Sequence, residues 1–525
     1  MKSARAPSHR RPRKDASSTR GLLRRSSRIL KLAESLPQEK SAISARKGEL
    51  ALSLQYVIKQ LEERHKTMVV RVSSRDVEEQ LKATKALGEL FRDERGIPLK
   101  AFIKCGVVSQ VVKFLEAGHS VQLQLEAARV LTILGSHCMS SYPRLVTEVV
   151  IEYDLVEKFV DFLNSPDDDI RAQAVLALGH FAARDNDCRD HVLHQEDLLY
   201  FLGGLEGNEE LSMLRSTSWT LLMFYKDKLQ PAFEQVKPAL TALRTLVCSN
   251  EDEVLINACG VLCLLFRGKN DNIQDVIDAD VCQRLLDLLT YPSSSVFILA
   301  LRAIGNIVFS CCILKQQIID RGVLHRVSEF LLRKNIEKKR PKIEICKTTK
   351  HIIARNGEEF DVVEKIQHDA CRIIAIINKG NNKHIQAVID AGLIAPLVEL
   401  ISTGDTEPRV KHMAAWAISI AITDGTDEQI KHLVTVEDCL KPMCDLLKLD
   451  CLLTITVALE GLVKVMESAK RSNFSCADKF LECDFEKFYK TSCYFINFNL
   501  CEKACTLMDN LQRYGYKHKY DVGPC

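Results

Sequence analysis

The side chains with the widest choice of chemistry in this chain are its 20 cysteines. Cysteine sulfur forms disulfides or binds zinc, and both uses leave a characteristic spacing along a sequence. This sequence contains no CxxC pair and no group of Cys and His at zinc-finger spacing. Several cysteines instead stand where small residues are expected in apolar helices: Cys259, Cys263 and Cys371. We therefore predict a reduced protein of the cytosol or nucleus that uses cysteine as a small hydrophobic residue.

Other chemistry has little support in the sequence. The adjacent pair Cys311 and Cys312 is a weak redox candidate, as is a late group of cysteines. That group consists of Cys493, Cys501, Cys505 and Cys525. The chain has no P-loop, no GxSxG or HExxH motif and no glycine-rich phosphate loop. We therefore predict no enzyme activity and assign no catalytic residue, metal or cofactor.

The basic residues are distributed unevenly, although the net charge is only +3. Residues 1–31 contain eleven Lys or Arg and one acid, Asp15, and a second basic run covers residues 333–342. Such runs suit acidic protein surfaces or nucleic acid, and they also occur as solvated tails. The N-terminus has no apolar h-region, and no run of 18 apolar residues occurs, so we predict neither secretion nor a membrane span.

An internal repeat identifies the elements that must position these side chains. A small residue followed by an apolar helix occurs nine times. The repeats begin at Ala83, Ala127, Ala174, Thr217, Ala258, Ala300, Ala370, Ala414 and Ala458. Seven of the eight steps are 41 to 47 residues long, which matches armadillo and HEAT repeats at roughly 40 to 47 residues. The remaining step is longer because an insertion follows Leu332, where the second basic run lies.

Each repeat also contains two helices before the recurring one. A glycine break separates them in "AFIKCGVVSQVVKFL" (101–115) and in "AVIDAGLIAPLVELI" (387–401). Three helices per unit with glycine at the bend favour armadillo over two-helix HEAT repeats. We predict an all-α, armadillo-repeat, right-handed superhelical solenoid of about ten repeats, with the third helices lining a concave face.

The predicted domain organisation has three parts. These are a basic N-terminal segment (1–66), the armadillo domain (67–517) and a short tail (518–525). The domain carries a basic insertion at about 333–366, between the sixth and seventh repeats. Its closing unit is degenerate, with "EKACTLMDNL" (502–511) as the last third helix.

Long segments in register with these repeats resemble the importin alpha family. They include "EEQLKATKALGELFRDERGIPLKAFIKCGVV" (78–108), "MLRSTSWTL" (213–221), "PAFEQVKPALTAL" (231–243), "ALRAIGNIV" (300–308), "HIQAVIDAGLIAPLVELI" (384–401) and "KHMAAWAIS" (411–419). The resemblance runs from about residue 73 to about residue 510. It implies a nuclear import adaptor that shuttles between cytoplasm and nucleus. Its partners would be importin beta and cargo proteins bearing a nuclear localisation signal, without direct nucleic acid or membrane binding.

In that family, a Trp and an Asn one turn apart on the third helix face the groove together. The Asn amide holds the main chain of an extended basic peptide. Adjacent Trp rings form slots for Lys or Arg, each contact being worth roughly 0.5–2 kcal/mol. The resemblance assigns to the cargo groove Trp219, Trp416, Asn306, Arg302 and Ser419. A lone Trp is also typical of a helix core, and Asn306 would equally suit a local capping role.

Most Trp and Asn places in the repeats hold other residues. The degenerate groove positions are Arg129, Ile133, Leu176, His180, Met223, Arg372, Ile376 and Ile420, with Gly260 and Leu264 in the fifth unit. Arg184 replaces a groove acid, and Met413 stands where an acid precedes the eighth Trp. Arginines in the groove would repel a lysine-rich signal, whereas the same residues on an outer surface would be ordinary solvated charges.

The basic N-terminal segment of the family docks on importin beta and, when free, lies in the groove as a pseudo-cargo. The corresponding importin-beta-binding-like residues are Arg10, Arg11, Arg13, Lys14, Arg24, Arg25, Arg28 and Lys31. The same clusters also fit a nuclear localisation signal or a nucleic-acid-binding arm. Family members bind a recycling exportin at the C-terminal end, where this chain lacks their acidic tail.

Two functions therefore remain open. The first is an import adaptor that binds signal-bearing cargo in the groove and docks on importin beta for transport through the nuclear pore. The alternative is an armadillo interaction scaffold that has lost ordinary signal binding and recognises acidic or apolar partners.

Overall fold

The structure is a computed structural model. It describes residues 63–93, 99–136, 143–205, 209–225, 231–266, 279–310, 312–332, 336, 345–353, 361–448, 451–474, 476, 479–480 and 498–513. The eight importin-beta-binding-like residues, most of the basic insertion and the 518–525 tail lie outside these ranges. The chain divides into a smaller unit (1–80 and 97–110) and a larger one (81–96 and 111–525).

Regular secondary structure in the described ranges is helical. The helices up to residue 113 are α1 (Glu63–Val72), α2 (Val77–Asp93), α3 (Leu99–Lys104) and α4 (Val107–Lys113). The next are α5 (Val121–Gly135), α6 (Pro143–Glu152), α7 (Leu155–Asp161), α8 (Asp168–Ala182), α9 (Asn186–Leu193), α10 (Glu196–Gly203), α11 (Leu211–Phe224), α12 (Phe233–Leu240), α13 (Ala242–Val247) and α14 (Asp252–Leu265). Short 3₁₀ turns follow α7 at Phe162–Asn164, and two later helices at Leu288–Thr290 and Leu446–Lys448.

The second half of the chain continues the pattern. Its helices are α15 (Ala279–Asp287), α16 (Ser294–Ser310), α17 (Cys312–Asp320), α18 (Val323–Ser328), α19 (Lys347–Ile353), α20 (Val362–Asn378), α21 (Asn382–Asp390), α22 (Ile394–Ser402), α23 (Pro408–Asp424), α24 (Asp427–Thr435), α25 (Leu440–Asp445), α26 (Leu452–Ser472) and α27 (Phe498–Arg513). Helix α19 belongs to the insertion, which lies inside the seventh unit, between its second helix α18 and its third helix α20. The prediction that the insertion separates the sixth and seventh repeats was therefore wrong, because the first two helices of the seventh unit precede it.

The nine recurring segments of the sequence all lie in helices, which confirms the predicted third helices. They are α2, α5, α8, α11, α14, α16, α20, α23 and α26. Helix α27 packs on α26 and buries Ala504, Leu507 and Met508, so the predicted closing helix is also confirmed. The all-α armadillo solenoid is thus the fold of the larger unit.

Local signals explain where several third helices begin. Ser120 accepts a hydrogen bond from the Leu123 amide at the start of α5, and Asp167 caps α8 in the same way through Ile170. Pro408 opens α23, where its missing N–H costs nothing. These side chains satisfy amides that have no partner within the helix.

The bends between first and second helices adopt left-handed backbone. The predicted glycine breaks are confirmed at Gly106 (φ 78°) and Gly392 (φ 66°), and Gly322 (φ 86°) makes the same bend in the seventh unit. The third and ninth units instead place Asp154 (φ 48°) and Asp438 (φ 49°) there. Aspartate is among the few residues that tolerate this region.

Close helix approach depends on small residues in the third helices. A Cβ atom added to Gly179 on α8 would lie 3.0 Å from the Cα atom of Thr220 on α11. The buried thiols of Cys259, Cys263 and Cys371 also pack in this layer, and burial raises the pKa of Cys259 and Cys371. The burial of these three side chains is what small hydrophobic residues would show at the same positions.

Polar side chains join each third helix from α5 to α26 to the next one, in what we call the interhelical ladder. Its donor–acceptor pairs are Gln173–Thr132, Thr220–Val175, Asn257–Ser218, Asn306–Cys263, Arg372–Asn306, Asn378–Ala417 and Ser419–Val457. Four of these bonds end on main-chain carbonyls 2.8–2.9 Å away. The ladder fixes how far one third helix can slide along its neighbour.

Candidate functional site

Trp219 forms an aromatic pair with the residue that replaces an Asn of the third unit. The centroids of the Trp219 and His180 rings are 5.4 Å apart, and the rings are tilted by 51°. Both residues are half-buried, and the indole nitrogen of Trp219 is buried. The surface that Trp219 offers to a ligand is therefore ring carbon, flanked on one side by imidazole.

Trp416 has no polar neighbour at the Asn place of its own unit. It is half-buried on α23, and Ile420 one turn later is only 8% exposed. Ser419 is buried, and its hydroxyl donates to the Val457 carbonyl at 2.9 Å. This position thus presents an aromatic ring beside aliphatic surface, and the Ser419 hydroxyl is bound to the next helix.

Asn306, the one Asn at a partner place, is bound within the protein. Its amide donates to the Cys263 carbonyl on α14 at 2.8 Å. Its carbonyl oxygen accepts a hydrogen bond from the Arg372 guanidinium on α20. The side chain is 6% exposed. Both ends of the amide therefore hold neighbouring helices together.

Arg302 acts electrostatically on a buried carboxylate, Asp369, of the next third helix. Arg302 is 8% exposed and Asp369 3% exposed. Burial raises the pKa of Asp369, but the charge of Arg302 and the nearby His368, 3.3 Å away, more than offset it, so the pKa lies well below its usual range. Arg302, Asn306, Arg372 and Asp369 form what we call the central polar cluster, which spans α16 and α20.

The remaining degenerate positions differ in exposure. Met223, Gly260, Leu264, Ile376 and Ile420 are buried, whereas Ile133, Leu176, His180 and Arg372 are half-buried. Arg129 is exposed and pairs with Glu126 at 2.9 Å.

Arg184, which replaces a groove acid, serves the packing of two third helices. Its guanidinium donates to the Gly135 carbonyl at 3.2 Å, and burial lowers its pKa. Met413 is half-buried on α23.

The insertion places a residue on the side of the third helices that carries the Trp places, and the sequence did not predict that contact. Ile352 on α19 is 4% exposed. An ideal Cβ on Gly260, at the fifth Trp place, would lie 2.7 Å from the Ile352 side chain. The only advance signal was the glycine itself, because an insertion has no repeat register from which its position follows.

The described residues contain no group of His, Cys, Asp or Glu that could hold a metal ion. No single described helix is long and apolar enough to cross a membrane, and the apolar pair α21 and α22 is bent by 76°. What this face offers chemically is aromatic carbon, aliphatic surface and a few fixed charges.

Comparison with known proteins gives the same architecture. A profile of the Armadillo/beta-catenin-like repeat matches residues 269–309 and 381–420. A crystal structure of an engineered protein superposes with a TM-score of 0.67 at 22% identity, covering 85% of this chain and 98% of that one.

Curated relatives are more specific. Importin subunit alpha-1b of Oryza sativa subsp. japonica is 40% identical over 400 residues, which is 76% of this chain and 68% of the relative. Importin subunit alpha-4 of Arabidopsis thaliana is 41% identical over 400 residues, with the same coverage. The chain therefore belongs to the importin alpha family of nuclear import adaptors, and it is a diverged member with a depleted Trp/Asn array.

Proposed function

We propose that this adaptor binds short lysine- or arginine-rich peptides of nuclear-localisation-signal cargo at two separate positions, centred on Trp219 and Trp416. One observation carries the proposal: these are the two places in the array where an indole remains and is partly exposed. A ring of this kind attracts the stem and charge of a basic side chain by roughly 0.5–2 kcal/mol.

The Trp219 position should bind more weakly than a complete Trp/Asn array. Units two to four carry Ile133, His180 and Met223 in place of three amides. At about 1 kcal/mol net for each lost hydrogen bond, the deficit is about 3 kcal/mol, or roughly 100-fold in Kd. Cargo recognition would therefore favour proteins that are abundant or held near the adaptor by another contact.

Fluorescence can test each position separately, since the chain contains only two tryptophans. In the full-length protein, Trp219→Phe leaves Trp416 as the reporter, and Trp416→Phe leaves Trp219. A lysine-rich peptide titrated against each variant should change the emission, with saturation at micromolar to millimolar peptide. The control is a peptide of the same length in which Glu replaces each Lys. An unchanged emission from both reporters would contradict signal binding.

We further propose that the basic N-terminal segment docks on importin beta. Charge reversal at Arg24, Arg25 and Arg28 should weaken capture of importin beta by the full-length chain at least tenfold. Reversal at three basic residues outside the importin-beta-binding-like set, Lys2, Arg5 and Arg20, is the matched control and should have less effect. Equal loss in both variants would indicate general charge attraction.

The variant reversed at Arg24, Arg25 and Arg28 also tests whether weak peptide binding is intrinsic to the groove or results from competition by the N-terminal segment. If the segment occupies the groove as a pseudo-cargo, its charge reversal will strengthen peptide binding. A contact of the C-terminal end with a recycling exportin remains a prediction.

The scaffold alternative draws on the half-buried aliphatic residues Ile133 and Leu176, which stand where an amide and an indole would serve a basic peptide. An apolar partner would contact these two side chains. If the lysine-rich peptide fails to bind and importin beta is not captured, the scaffold function is favoured. In that case Leu176→Asp should abolish binding of the partner protein.

A further inference from the structure

We propose that helix α19 of the insertion is a fixed divider on the third-helix face. It would confine each ligand to one side, so that Trp219 and Trp416 bind separate short peptides. A single extended peptide could not then lie along both. The inference rests on the proposed function, because it concerns the ligands of those two positions.

The first observation is the fit between Ile352 and Gly260. Ile352 fills the space that a side chain at position 260 would need, and Leu222 on α11 closes the same space at 3.1 Å. Gly260 is at a Trp place of the repeat. A large residue there and the insertion helix therefore exclude each other.

The second observation is how α19 is anchored. Thr349 is fully buried on the same helix. Just before α19, the Cys346 amide donates to the Ser295 hydroxyl at 2.9 Å. Ser295 lies seven residues, or about two turns, before Arg302, so both are on one face of α16. Helix α19 therefore contacts α14 and α16 on the side that carries the Trp places.

The third observation is the order of the helices. Between α11 with Trp219 and α23 with Trp416 lie α14, α16 and α20. An extended ligand in contact with both indoles must cross the faces of α14 and α16, where α19 lies. Beyond α19 the half-buried guanidinium of Arg372 follows on α20, where it donates to Asn306.

Geometry sets the length of the decisive probe. Neighbouring packed helices are about 8–10 Å apart, so four steps from α11 to α23 span about 32–40 Å. An extended linker of roughly 10–12 residues just covers that distance and has no slack to rise over a helix about 10 Å thick. A linker twice as long has that slack.

The experiment compares two peptides, each with two lysine-rich clusters, that differ only in this linker. Wild type should bind the long-linker peptide more tightly than a single cluster, by about the ratio of an effective concentration of roughly 1 mM to the single-cluster Kd, which is about 100-fold for a Kd of about 10 μM. It should bind the short-linker peptide within about twofold of a single cluster. Ile352→Asp, which places a charge in the buried contact, should raise short-linker affinity to the long-linker level. His351→Asp adds the same charge at an exposed residue of α19 and should behave as wild type.

Two outcomes would overturn the divider. One is tight binding of the short-linker peptide to wild type; the other is no gain from Ile352→Asp in a variant with unchanged circular dichroism. If single clusters bind neither indole, the proposed function fails instead. In that case hydrogen exchange tests the position of α19 without any ligand. The divider requires slow amide exchange over residues 347–353 in wild type and fast exchange in Ile352→Asp.

Discussion

Ile420→Asn restores the amide that the eighth unit lacks one turn after Trp416. An Asn at this place can donate to and accept from the main chain of an extended peptide. At about 1 kcal/mol net per hydrogen bond, one or two bonds tighten the Kd of a lysine-rich peptide roughly 5- to 30-fold. This gain in peptide affinity is a property of the folded protein and is measured separately from the free energy of unfolding.

Stability itself should fall in this variant. Ile420 is 8% exposed, so the change removes buried aliphatic surface and places an amide beside the neighbouring helix. Loss of such a side chain typically costs about 1–3 kcal/mol of unfolding free energy. The thermal midpoint should therefore drop by a few degrees while peptide affinity rises, which is the opposite of what a merely damaged groove would give.

The assay follows Trp416 emission in the Trp219→Phe background during peptide titration. Ile133→Asn is the matched control, since it introduces the same amide at the Asn place of the second unit, which lacks a Trp. It should leave affinity within about twofold. A Kd that does not fall in Ile420→Asn, or falls equally in the control, would refute the idea that Trp416 lies in a peptide slot missing its amide.

Three further outcomes follow from the described contacts. Asn306→Ala should lower the thermal midpoint, by about 1–3 kcal/mol in unfolding free energy, without weakening peptide binding; a loss of binding in fluorescence titration would place the amide in the ligand site. Gly179→Ala should destabilise by about 1–3 kcal/mol, because its Cβ meets the Thr220 main chain, whereas Gly404→Ala, with no atom within 4 Å, should be near neutral in thermal melts. The folded-state pKa of Asp369 lies below its unfolded value of about 3.9, so the carboxylate stabilises the fold above that pH and the benefit is lost on acidification. Asp369→Asn should accordingly differ from wild type more at pH 7 than at pH 3, and an equal difference at both would contradict this.

Repeat spacing was sufficient to predict the third helices, because every unit must bury the same face against its neighbours. The bends were harder to predict. Glycine marked the one at Gly392, but Asp154 and Asp438 adopt the same left-handed backbone without a glycine signal. A bend of this kind can be made by Gly or Asp, so no single residue type identifies it in the sequence. The third helices, by contrast, are identified by a pattern that occurs nine times.

The repeat pattern predicted which residue of each unit stands at the Trp and Asn places, but it did not predict what those residues contact. Position in the repeat placed Asn306 at a partner place, yet its bonds come from residues 43 and 66 positions away on other helices. The position of Ile352 depends on an insertion that follows no period. Long-range pairing of this kind is decided by packing, which local sequence does not encode.

The interhelical ladder also bears on how this chain can evolve. In each of its bonds the donor and the acceptor belong to two neighbouring repeats, and the acceptor lies on the preceding repeat in five of the seven bonds. Deleting a single repeat would separate the two side chains of a rung such as Gln173–Thr132 or Asn257–Ser218 and would leave polar groups without partners. Substitutions on the exposed part of the face break no rung. The number of repeats is therefore constrained, while the surface they present is free to diverge.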